Sequence, residues 1–221
     1  MKEPYIRALG YITVFYWPAL VLLVLLAHPI VWLLLGSQWL DVVPVLQVMA
    51  VASFAWFPVV LTSPVLLAVG ANRDRVLADL VGRSVSAVVL CSAASFGIMA
   101  MAASKVVTLP FQMVVSLCFV RRHVHFRWRE LCAGLWKSAV VTGGSAAGPI
   151  CVVALSDTGD LSITATAVAV LLAGAGWLAA VLLTRHPVLF ELRNATGKIV
   201  ETFSRPRIRI IAHGPKAEEA G

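Results

Sequence analysis

The chain has 221 residues, 60% of them apolar (AVILMFWYC) and 13% charged, whereas soluble domains carry roughly 45–50% and about 25%. So few charges cannot solvate a globule of this size, which excludes a soluble enzyme or binding domain and points to an integral membrane protein. A net charge of +7 is compatible with nucleic acid or anionic lipid, but the basic residues gather at the ends of apolar runs, so they are read as a topology signal and no nucleic-acid partner is expected.

Residues 1–11 are short and polar and carry Lys2 and Arg7. The apolar run 12–35 exceeds the core of a signal peptide, about 7–15 residues, and is expected to be an uncleaved first span. Tyr11, Phe15, Tyr16 and Trp17 at its start, and Trp32 and Trp39 at or past its end, are expected at the two membrane interfaces. Five more spans are expected at 42–69, 84–101, 106–120, 135–155 and 161–184. Only Gly97 and Lys105 mark the boundary between the third and fourth, yet one span is excluded there, because about 20 residues cross a bilayer. The expected fold is all-α: a polytopic transmembrane bundle of about six spans over residues 1–184. Residues 185–221 form a basic cytoplasmic tail, partly disordered, able to lie on anionic lipid through Arg205, Arg207 and Arg209.

Charge supports the same topology. With both ends on one side, that side receives seventeen of the eighteen lysines and arginines and the other only Lys105, so both termini are expected in the cytoplasm of a plasma or inner membrane. Cys91, Cys118, Cys132 and Cys151 form no C-x-x-C motif and read as small apolar residues within the bundle. His123 and His125 share a basic loop with no third ligand, so no metal site is expected. A phosphate loop, H-E-x-x-H and G-x-S-x-G are all missing from the sequence; neither a cofactor nor enzymatic activity is expected. The glycines of 143–148 and 174–176 read as helix-packing surfaces.

Interruptions and polar residues in the spans carry the functional expectation. Pro58, Pro64 and Pro110 remove backbone donors and mark helix breaks or hinges, which transporters place beside substrate cavities. Asp79, Arg83, Lys105 and Lys137 lie at expected span edges, within snorkelling reach of water. Arg83 and Lys137, near the cytoplasmic side, are the first cations that an anionic lipid diphosphate would meet. Gln47 and Gln112 either bind sugars or join helices.

The pattern A-H-P-I-V-W-L-L-L-G-S-Q-W-L-D-V-V-P-V-L-Q-V-M-A-V, followed by L-L-A-V-G-A-N-R-D-R and by Phe96-Gly97-Ile98-Met99-Ala100, resembles the C-terminal half of oligosaccharide flippases. These belong to the superfamily of multidrug, oligosaccharidyl-lipid and polysaccharide exporters, and the resemblance covers residues 5–130. It implies helical bundles around a central cavity that move a polyprenyl-diphosphate-linked glycan outward by alternating access, in the making of lipopolysaccharide or other surface polysaccharide. Full members have twelve to fourteen spans. This chain matches the last six, so the implied partners are membrane lipid, the lipid-linked glycan, and an N-terminal half or second subunit. Two alternatives remain at this point. One is a non-transporting scaffold or truncated remnant. The other is a drug or cation exporter of the same superfamily, which calls for an acid within a span, where the sequence offers only Asp79 at an edge.

Overall fold

A computed structural model describes residues 2–155 and 163–184. The chain divides into a unit of Met1–Pro187 and one of Val188–Gly221, and all described residues belong to the first. The expected tail at 185–221 lies outside them. Apart from short turns, the described residues are helical: α1 Lys2–Leu25, α2 Ala27–Leu35, α3 Val43–Ser53, α4 Phe57–Ala68, α5 Asn72–Ala94, α6 Ile98–Val124, α7 Trp128–Leu155 and α8 Ile163–Leu183. Short 3-10 turns at Ser37–Val42 and Phe54–Trp56 precede α3 and α4. Six segments are long and apolar enough to cross a membrane, with Ser37–Ala68 counting as one, so the all-α, six-span architecture stands.

Several boundaries shift. The first span begins at Lys2, where Glu3 and Pro4 supply the acid and the proline that suit a first helical turn. Tyr16 and Trp17 therefore stand well inside α1 and not at its start. The helix breaks at Leu26, since the ring of Pro29 crowds the carbonyl of Leu25 four residues back. The third and fourth spans meet at Ser95–Gly97, where Gly97 takes φ +94°, a conformation that favours a residue without Cβ. Gly36 turns the chain in the same conformation between the first two spans. The third span accordingly begins at Asn72, twelve residues before the expected position, and the fourth begins at Ile98. All four cysteines are exposed on the outside of the bundle, and none is packed between helices.

The helices pack as a row: α8 on α7, α7 on α1, α1 on α3 and α4, these on α6, and α6 on α5. The α1–α7 seam is parallel and polar. Lys2 Nζ meets Glu130 Oε1 at 3.0 Å at its start. Deeper in, Thr13 Oγ1 donates to Ser138 Oγ at 2.9 Å and Ser138 Oγ to the Gly10 carbonyl at 3.2 Å, all buried. The α7–α8 seam uses small residues. A Cβ on Gly176 would fall on the Gly144 carbonyl, and one on Gly148 would strike Leu172, so the two backbones touch directly. Gly143 and Gly174 meet nothing within 4 Å, so only part of each glycine run forms the seam. Gly176→Ala is expected to lower stability by about 1–3 kcal/mol through overpacking, while Gly174→Ala leaves it unchanged. Thermal unfolding of both variants in the same detergent checks this, and equal melting temperatures would refute the seam.

Candidate functional site

Proline chemistry sets the geometry of the site. Pro58 has no N–H, so the Phe54 carbonyl four residues earlier loses its helical donor. In hydrocarbon no water can replace that donor. The indole of Trp17 does so, donating to the Phe54 carbonyl at 3.3 Å, while the neighbouring Tyr16 hydroxyl donates to the Ser53 carbonyl at 3.1 Å. The 3-10 turn Phe54–Trp56 is thus held open as a break in the second span. Pro64 and Pro110 act differently, since α4 and α6 continue through them without interruption. Of the three expected hinges, only Pro58 adjoins a break.

This break forms one wall of a cleft of about 690 Å³ between α3–α4 and α5–α6, with Tyr16 of α1 at its back. Trp56, Ser53 and Ser63 line that wall. Asp79, Gly82 and Arg83 come from α5, and Lys105, Gln112 and Ser116 from α6. Arg83 lies eleven residues from either end of α5, at the middle of the helix. That place follows from α5 beginning at Asn72, twelve residues before the expected start of the span. Its side chain is 81% exposed, so the guanidinium stands at the mouth of the cleft. Asp79 is one turn away with its Oδ1 4.0 Å from Arg83 Nε, a loose pair that leaves the fork of Arg83 free. Asp79 is seven residues inside α5.

Lys105 lies seven residues inside α6, half-buried, with no ion-pair partner among the described residues. Because α5 and α6 run antiparallel, Asp79 and Lys105 mark opposite ends of the cleft, with Arg83 and Gln112 between them. Gln112 Nε2 donates to Ser86 Oγ and to the Gly82 carbonyl, so its amide nitrogen joins α5 to α6 while its side chain still borders the cleft. Arg75 adds a third cation nearby, its Nε donating to Ser63 Oγ at 3.2 Å. At the end of the pair, His123 Nε2 meets Asp74 Oδ2 at 2.7 Å and ties α6 to α5.

The remaining expected site residues lie elsewhere. Gln47 Nε2 donates to the Val24 carbonyl at 3.0 Å beside the break at Leu26, joining α3 to α1. Lys137 lines a separate groove between α1 and α7. Of the four expected binding residues, the structure therefore brings Arg83 and Gln112 together. Lys105, Trp56 and Tyr16 join them without having been expected to. Restoring a donor at Phe54 tests the clasp. Trp17→Phe is expected to cost about 0.6–1.7 kcal/mol, and most of that cost should vanish in a Pro58→Ala background, where the substituted residue's own backbone N–H replaces the lost donor. A double-mutant cycle of unfolding free energies that shows simple additivity would refute it.

Residues 1–44, about a fifth of the chain (44 of 221), match the profile of a family described as "Polysaccharide biosynthesis protein". The match covers α1, α2 and the turn into α3 and stops before the α5–α6 side of the cleft. No match was found among curated proteins or solved structures.

Proposed function

We propose that this chain is a flippase-like membrane component that moves a lipid-linked oligosaccharide during the assembly of cell-surface polysaccharide. The observation that carries the proposal is Arg83, a guanidinium at mid-depth of α5 at the mouth of a polar cleft. A cation at the centre of a membrane helix costs roughly 2.5–3.5 kcal/mol or more, and a loose contact with Asp79 offsets little of it. A diphosphate entering the cleft would offset more, because Arg presents a planar fork of donors suited to phosphate. Lys105 adds a second positive charge at the far end of the cleft. The hydroxyls of Ser53, Ser63 and Ser116 and the faces of Tyr16 and Trp56 offer the mixture of hydrogen bonds and flat apolar surface that sugars require. The match to a polysaccharide biosynthesis family over residues 1–44 supports the same direction.

On this reading the cleft opens sideways from α5 and α6, and a facing bundle, from another chain or a second copy, completes the cavity. The charge asymmetry at the span ends supports cytoplasmic termini. Arg73 and Arg75 open α5, Arg121 and Arg122 close α6, and Arg127 and Arg129 adjoin the start of α7, all at the Lys2 end of the bundle. In cells assembling surface polysaccharide, Arg83→Gln is expected to reduce export about tenfold or more, the loss of a charge-assisted contact, with Lys137→Gln at the level of the parent. Surface glycan at equal protein abundance is the readout. Export unaffected by Arg83→Gln would favour the scaffold instead. One observation favours a second reading: Asp79 inside α5 supplies the acid that an ion-coupled exporter needs. In that case Asp79→Asn abolishes proton- or sodium-driven uptake of a cationic drug into vesicles, whereas the glycan reading leaves no such uptake to abolish.

A further inference from the structure

At the end of the bundle where α1 and α7 begin, a second groove of about 280 Å³ runs between the two helices, lined by Glu3, Ile6, Arg7, Ala133, Gly134 and Lys137. The seam fixes the relative height of its charges. Lys2 pairs with Glu130 and Gly10 with Ser138, both 128 residues apart. Arg7 therefore stands level with Leu135, and Lys137 lies two residues further in, roughly 3 Å along the axis. The side chain of Ile6 occupies the notch at Gly134, where a Cβ would come within 2.5 Å of Ile6 Cγ2, and closes the floor of the groove with apolar surface.

Both cations are exposed, and neither has a hydrogen-bond or ion-pair partner among the described residues. In parallel helices the Cα–Cβ bonds tilt toward the same N-terminal end, so both side chains lean toward one membrane surface. Trp136, beside Lys137 and 70% exposed, marks that level as the headgroup boundary. One turn further into the span, the exposed Val140 offers apolar surface to a chain running inward. The third charge, Glu3, opposes an anion, and the groove still carries a net positive charge.

From two unpaired cations at one height, an apolar floor and an apolar track leading inward, we infer that this groove holds the phosphate of an anionic glycerophospholipid lying against α1 and α7. Lys137 then anchors a resident lipid and takes no part in the cleft at Arg83. The site stands independently of the transport reading.

Native mass spectrometry of the full chain, released from mild detergent in the presence of phosphatidylglycerol, phosphatidylcholine or glycerol phosphate, tests it. The parent chain should retain phosphatidylglycerol in preference to phosphatidylcholine and should not retain glycerol phosphate. Each of Arg7→Gln and Lys137→Gln should weaken that retention about fivefold, and the double variant about 25-fold, at unchanged helicity by circular dichroism. Glu3→Gln should strengthen retention, an arm that holds even if the double variant fails to fold. Equal retention of the two lipids, an unchanged preference in both single variants, or equally tight binding of glycerol phosphate alone would overturn the assignment.

Discussion

The fold depends on one requirement: inside a bilayer every backbone carbonyl that loses its helical donor must find another within the protein. At two prolines a tryptophan meets the need. Pro18 leaves the Val14 carbonyl without its usual N–H, and the indole of Trp177 on α8 donates to it at 2.8 Å. Pro58 leaves the Phe54 carbonyl without an i+4 donor, and Trp17 on α1 donates to that one. The first of these contacts joins α1 to α8, and the second joins it to the break before α4. Helix α1 is therefore the element from which the rest is hung, with α7 and α8 on one side and α3 to α6 on the other. Its buried positions reflect this, since Leu9, Thr13 and Val14 are wholly enclosed.

The cleft follows from the same requirement. The second span packs on α6 through α3, the 3-10 turn and α4, so the cleft lies beside that seam, toward α5. The 3-10 turn, held by Tyr16 and Trp17, makes a wall whose carbonyls are already satisfied from behind, so the opposite face is free to border a cavity. Across it, α5 is the least enclosed of the long helices preceding α8, with Val76, Leu80 and Val88 exposed to the surroundings. Gly82, Ser86 and Gln112 hold it to α6 through a short polar contact. Arg83 is placed at the middle of α5 because that helix begins at Asn72, immediately after the turn at Gly70 and Ala71.

The number of spans was legible in the sequence because apolar composition over about 20 residues is set by the bilayer itself. The turns at Gly36 and Gly97 were legible for the same kind of reason, glycine being the residue that accepts their backbone conformation. Helix ends were harder to place. Asn72 to Arg83 contains Arg73, Asp74, Arg75, Asp79 and Arg83, and hydropathy alone assigns such a segment to a loop, although its charges face a cleft and the end of a neighbouring helix. Lys137 and Arg83 look equivalent in sequence, each a cation near an expected edge, and only packing separates them into two grooves. The roles of Tyr16 and Trp17 were masked by the interfacial habit of aromatics. The signal was present in Pro58, whose orphaned carbonyl at Phe54 requires a donor from elsewhere.

Whether the space beside Arg83 is a hydrated cavity or a lipid-filled crease is the question on which the account turns. Single cysteines in a chain with Cys91, Cys118, Cys132 and Cys151 replaced by alanine, labelled in vesicles with a charged thiol reagent, measure it directly. Rapid labelling is expected at Ser63→Cys, Asp79→Cys and Gln112→Cys, positions that line the cleft, and protection at Val81→Cys and Val88→Cys, which are exposed on α5 away from it. Equal protection at all five positions would contradict it.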